Sequence, residues 1–169
     1  MSGNFLVDTN VLIYSYDRSD QVKQKRAREV LDWLVSTGGG VLSTQILAEF
    51  FWTLSRKLSE RFPAREAYAQ LEKQAHAWRV VSMTPAIVLE AARGAVHYQL
   101  ALWDAQIWAT AKINQIPRVV SEDFSSGSRI EGVEFLDPFR RTLPGEQKPC
   151  YVWVTRRRIF PCRPIPART

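Results

Sequence analysis

The chain has 169 residues, 46% of them apolar, and a formal net charge of +6. This is enough for one domain with a true core and too apolar for a disordered chain. No run approaches the ~20 apolar residues of a membrane helix. Met1-Ser2-Gly3-Asn4 has no basic segment, and Asp8 interrupts the apolar run behind it, so no secretory signal is expected and the default address is the cytoplasm.

The charge is unevenly spread. Residues 140–169 hold eight Lys or Arg and one acid, Glu146, whereas residues 1–139 hold 15 basic and 16 acidic residues. The high pI therefore describes the C-terminal segment and not the main domain. Both cysteines, Cys150 and Cys162, also lie there. No Cys or His cluster accompanies them, so they read as a reduced, incidental pair and not as a zinc site.

In chain order, Phe5-Leu6-Val7 reads as a short buried strand, Asp8-Thr9-Asn10 as a turn, and Val11 to Tyr16 as a helix. Ala27, Val30, Leu31 and Leu34 recur at helical spacing between Gln21 and Val35, and Gly38-Gly39-Gly40 stops that helix. Val41 and Leu42 form a second short strand. Ser43 or Thr44 caps a helix bearing Leu47, Phe50, Phe51, Leu54 and Leu58 on one side. Pro63 marks a break, and Arg65 to Ala77 is a further helix. Arg79 to Ser82 is a third strand, and Thr84-Pro85 opens a helix reaching about Tyr98. Helix resumes from Trp103 to Asn114, strand follows at Arg118 to Ser121, and Val133 to Leu136 is a last, exposed strand. Alternating strands and helices predict an α/β fold with a mostly parallel central sheet covered by helices on both faces. The pattern ends near Phe139. The expected organisation is a domain over residues 1–139 and a basic, Pro/Arg-rich extension over 140–169 that is not a domain.

Four separated carboxylates stand out: Asp8, Glu49, Asp104 and Asp123. Asp8 ends the first strand, Glu49 lies just past the second, Asp104 opens a helix, and Asp123 follows Val119-Val120-Ser121. Each has an ordinary use as a turn residue, helix cap or solvated side chain. Together they fall where open α/β sheets bind ligands, outside the carboxyl ends of the strands. Acids gathered there repel one another unless a cation neutralises them. Asp104 also leads the inward stripe Ile107, Trp108 and Ala111, and an inward carboxylate needs a partner or a metal. An all-oxygen ligand set suits Mg²⁺ or Mn²⁺. Asp8 and Asp104 are the expected primary ligands, Glu49 a ligand for a second ion or one acting through water, and Asp123 the completing member. Thr9, Asn10 and Ser121 are the residues expected to orient them. Glu122 competes with Asp123 for the fourth position.

Other chemistry finds little support. His76 and His97 lack evident triad partners, and no P-loop, Gly-x-Ser-x-Gly or Gly-x-Gly-x-x-Gly is present. Most of the six tryptophans read as core, with Trp33, Phe51, Trp52 and Trp103 as candidate subunit contacts.

The stretch Phe5-Leu6-Val7-Asp8-Thr9-Asn10-Val11-Leu12 resembles the opening of a PIN domain. Glu49 followed by aromatics is similar to that family's second acid, Leu102 to Ile107 to its third, and Val119 to Phe124 to its fourth. Gly132 to Phe139 resembles its closing strand. The likeness spans roughly residues 4 to 139, and the nearest relatives it suggests are VapC toxins of bacterial toxin–antitoxin pairs. The resemblance implies a PIN-like three-layer fold, metal-dependent endoribonuclease activity, a homodimer, and a cognate antitoxin whose segment enters the acidic groove. RNA phosphates would need cations outside that groove. Lys23, Lys25, Arg26 and Arg28 are one candidate rim, and Arg93 with Lys112 another. The alternatives are a haloacid-dehalogenase-type phosphatase, disfavoured because Asn10 stands where its general-acid Asp belongs, and a non-catalytic RNA-binding or regulatory protein using the basic, aromatic C-terminal segment.

Overall fold

The computed structural model describes residues 4–58 and 60–146. The strands are β1 (Phe5–Val7), β2 (Gly40–Ser43), β3 (Arg79–Val81), β4 (Arg118–Val120), β5 (Arg129–Ile130) and β6 (Val133–Leu136). The helices are α1 (Thr9–Tyr14), α2 (Gln21–Thr37), α3 (Thr44–Lys57), α4 (Ala64–Ala77), α5 (Pro85–Tyr98) and α6 (Leu102–Ile113). Tyr151–Val154, an apolar stretch that the sequence allows as an isolated strand, and both cysteines lie outside the described residues.

Local signals start and stop these helices. The Asp20 carboxylate accepts from the backbone N–H groups of Val22 and Lys23 at the head of α2. Gly38 ends that helix at φ 63°, a left-handed conformation that glycine adopts without a steric penalty. Ser43, rather than Thr44, caps α3 by accepting from the Ile46 N–H. Thr84 caps α5 with Pro85 in its first turn.

The strands form one sheet in the order β3-β2-β1-β4-β6-β5. Every pairing is parallel except β5 with β6. Successive strand side chains point to opposite faces. All residues of β1 and β2 are buried, so helices cover both faces as the sequence pattern predicts. The core runs through Phe5, Leu6, Leu42, Phe50, Trp108 and Phe135.

Two expectations change. The strand Val133–Leu136 is not exposed: it lies between β4 and β5, with Val133, Phe135 and Leu136 buried. Packing also continues past residue 139. Leu143 is 2% exposed, and Arg26 donates to the carbonyls of Pro138 and Arg141 and to the Glu146 carboxylate.

The chain leaves β1 toward β2 on one side of the sheet and later returns to β4 on the other. That reversal of order opens a crevice at the carboxyl ends of β1 and β4. Asp8 follows one of these strands and Ser121 follows the other.

Candidate metal centre

Asp8 is the most enclosed member of the acidic set, at 4% exposed. It ends β1 and caps α1, accepting from the Thr9 N–H at 2.6 Å. Its other oxygen accepts from the Ser121 hydroxyl at 2.6 Å and the Asn10 amide at 3.0 Å. Burial raises its pKa to about 7; the Ser121 and Thr9 hydrogen bonds oppose the rise, and the charges of Asp123 and Glu49 add to it.

Glu49 arrives from the first half of α3, one carboxylate oxygen accepting from the Thr9 hydroxyl at 3.0 Å and the other from the Gln45 amide at 2.8 Å. Asp104 sits in the first turn of α6, half-buried. Its pKa is raised by burial first and then by Asp123 and Glu49. Asp123, on the loop after β4, accepts from the Asn10 amide at 2.9 Å, while its own N–H donates to the Ser121 hydroxyl at 3.1 Å.

All four acids line one open cavity of about 500 Å³, together with Thr9, Asn10 and Ile107. Thr9, Asn10 and Ser121 sit between the carboxylates and bond to them, the arrangement expected of residues that orient ligands. Asn10 reaches two of the four acids with one amide nitrogen. Its carbonyl oxygen is buried and has no hydrogen-bond partner among the described residues. Glu122 turns away, accepting from Lys23 at 2.5 Å and from the Tyr14 hydroxyl, so Asp123 is the acid at the cavity.

The donor set fits a hard divalent ion. The cavity offers carboxylate oxygens, with the pKa values of Asp8 and Asp104 raised chiefly by burial and further by their acidic neighbours, and an unpartnered amide oxygen beside them. Among the described residues, no group of three or more His, Cys, Asp or Glu side chains is close enough together to hold a metal ion without rearrangement. Mg²⁺ does not require one, because it holds one or two carboxylates and keeps several waters.

The proposed basic rims fare differently. Lys23 is held by Glu122 and stacked near the Tyr14 ring. Arg26 is bound to Glu146, and Arg28 donates to the Ser15 carbonyl at 2.9 Å. Lys25 is exposed and makes no ion pair among the described residues. Arg93 and Lys112 form a closed network with Glu90 and Glu131, whose pKa values fall to about 2 under these cations. This second rim is thus neutralised. Its acid partner Glu131 lies 38 residues from Arg93, which spacing alone does not reveal.

Two tryptophans that read from the sequence as candidate subunit contacts also belong to this site. Trp52 and Trp103 line the acidic cavity. The available signal was position: Trp52 is three residues past Glu49, on the same helix face, and Trp103 directly precedes Asp104.

A PIN domain family model matches residues 5–125, well over half of the chain. The chain belongs to the PIN domain family, a family of nucleases. Its neighbours among solved structures include toxin–antitoxin assemblies. One is a toxin–antitoxin complex from Klebsiella pneumoniae, at TM-score 0.60 and 18% identity over 80% of this chain and 98% of that one. Another is DNA-bound VapBC from Salmonella typhimurium, at TM-score 0.60 and 16% identity over 80% and 98%. A third is VapC20 of Mycobacterium tuberculosis, described as a sarcin-ricin loop cleaving toxin, at TM-score 0.54 and 19% identity over 69% and 87%. At these identities the likeness is one of fold. No curated protein matches the sequence. Among the described residues, no helix is long and apolar enough to cross a membrane.

Proposed function

We propose that this chain is a divalent-metal-dependent endoribonuclease and the toxin of a bacterial type II toxin–antitoxin pair. The observation that carries the reading is the convergence of Asp8, Glu49, Asp104 and Asp123, from four separate elements, on one cavity at the carboxyl end of the sheet. The toxin–antitoxin and VapBC neighbours support the toxin assignment and a cognate antitoxin as partner; a homodimer and a cytoplasmic setting belong to the same proposal.

Asp8 and Asp104 would hold Mg²⁺ or Mn²⁺. Glu49 would take a second ion or act through water, and Asp123 would complete the ring. When bound, the ion supplies a water acidic enough to attack phosphorus and offsets negative charge on the phosphodiester. The chain's own residues supply the geometry. Asn10 ties Asp8 to Asp123, and the Ser121 hydroxyl holds the inner oxygen of Asp8. Thr9 and Gln45 hold Glu49 from two sides. With the carboxylates fixed, the phosphodiester meets a site that needs little rearrangement. The products would be 5′-phosphate and 3′-hydroxyl ends.

The test is incubation with a panel of structured RNAs, with Mg²⁺ or with a chelator, followed by mapping of the ends. Cleavage should require the ion. Asp104→Asn should reduce it at least about 100-fold while leaving the thermal transition near that of the parent. Small phosphomonoesters should remain intact, since a phosphatase would release phosphate from them. Undiminished RNA cleavage by Asp104→Asn would remove the metal site from the reaction.

A further inference from the structure

Trp52 is 56% exposed and Trp103 63% exposed, and both line the cavity that holds the four acids. Two large apolar rings left in water at one acidic site call for an occupant. Each is also tied in sequence to an acid. Trp52 follows Glu49 by about one helical turn, and Trp103 is the residue before Asp104. The Gln45 amide, which holds Glu49, also donates to the Trp103 carbonyl at 3.3 Å, so the two indole-bearing helices are joined beside the acids. The Lys57 ammonium lies 5.9 Å from the centre of the Trp52 ring and puts a cation beside it.

We infer that Trp52 and Trp103 are base-stacking platforms that hold the nucleotides flanking the scissile phosphate, so that stacking, more than basic side chains, positions RNA over the acids. The inference rests on the reading of this cavity as the cleavage site. A carboxylate ring repels the phosphate that it must receive, and most of the expected cations are already paired. A bound divalent ion would offset that repulsion at the scissile phosphate, which leaves the grip on the flanking nucleotides largely to uncharged groups. Indole faces meet that need, because every base has a π-face and stacks without regard to sequence. Lys57 is placed to meet the next phosphate along the strand. Stacking also requires a base whose face is free, so paired RNA gains nothing from these rings.

The experiment measures the anisotropy of a short, fluorescein-labelled single-stranded oligoribonucleotide with the full chain carrying Asp104→Asn, which suppresses turnover. Adding Trp52→Ala or Trp103→Ala should each weaken binding roughly 5- to 150-fold. Trp→Phe at either position should restore most of it. A duplex of the same sequence should bind all variants equally. In the active chain the alanine variants should raise KM and leave kcat nearly unchanged, as expected for uniform binding. Unchanged oligonucleotide affinity and KM in folded alanine variants would overturn the inference and point to a protein partner as the occupant of the indoles, leaving the nuclease reading intact. Absence of metal-dependent cleavage by the parent, with the stacking losses still present, would instead remove the nuclease reading.

Discussion

Asp8 is held in a conflict that its neighbours only partly relieve. Burial favours its neutral form, while the Ser121 and Thr9 hydrogen bonds favour the ionised one, and burial prevails, placing its pKa at about 7 against an ordinary 3.8. A raised folded pKa means the folded chain binds the proton more tightly than the unfolded chain. This contribution to stability is complete below about pH 4 and is lost as the pH rises through 7; its full size is roughly 4 kcal/mol. Without metal, the protein should therefore melt at a lower temperature at pH 8 than at pH 5. Asp8→Asn cannot ionise, so it should flatten that dependence and exceed the metal-free parent at pH 8, less about 1 kcal/mol for the acceptor it loses. Thermal unfolding in chelator at both pH values checks this; identical pH profiles for parent and variant would show that Asp8 carries its charge without strain. At this scale the acids were legible because each follows a strand end or heads a helix. The choice between Glu122 and Asp123 was not, because it is made by Lys23, 99 residues away. Nor were Trp52 and Trp103, since an aromatic beside an acid suits a core, an interface or a cavity equally well until its exposure is known.

Among the elements, α5 and α6 pack face to face beside the site, and Gly94 sets their approach. A Cβ placed on Gly94 would lie 2.4 Å from one Trp108 ring carbon and 2.7 Å from another. Trp108 cannot yield easily: it is fully buried, and its indole N–H donates to the Ile130 carbonyl at 3.2 Å. Gly94→Ala therefore sets a helix-propensity gain of about 1 kcal/mol against an overpacking cost of about 1–3 kcal/mol. With contacts this short the cost should win, for a net loss of up to about 2 kcal/mol in denaturant unfolding. A more stable variant would mean that α5 and α6 slide apart freely. Because α6 carries Asp104, such a shift would also reach the acidic cavity. The helices and the parallel strands were readable from periodicity and caps. The position of β6 was not: its inner place depends on β5, two residues long, and the sequence of so short a strand carries no period.

Across the whole molecule, charge and packing divide the chain at a later point than composition suggests. Residues 1–146 hold 17 basic and 17 acidic residues, so the entire excess of +6 belongs to residues 147–169. Inside that neutral body, Leu143 is buried and Glu146 holds Arg26. Two truncations should therefore behave differently. A chain ending after Glu146 should keep the stability of the parent and its metal-dependent cleavage at low salt, because it retains every acid and every described contact. If all six basic residues beyond Glu146 meet RNA phosphates, its binding should lose up to about four units of slope in log affinity against log salt. A chain ending after Phe139 keeps the same acids yet exposes the Leu143 site and leaves Arg26 without its carboxylate. It should lose roughly 1.5–3 kcal/mol from the leucine alone and unfold at lower temperature, taking cleavage with it on heating. Salt titrations of RNA binding and thermal melts of the two truncations separate these effects. Loss of low-salt cleavage in a folded chain ending after Glu146 would show that the acidic cavity alone is not sufficient for the reaction, and that residues 147–169 take part in it.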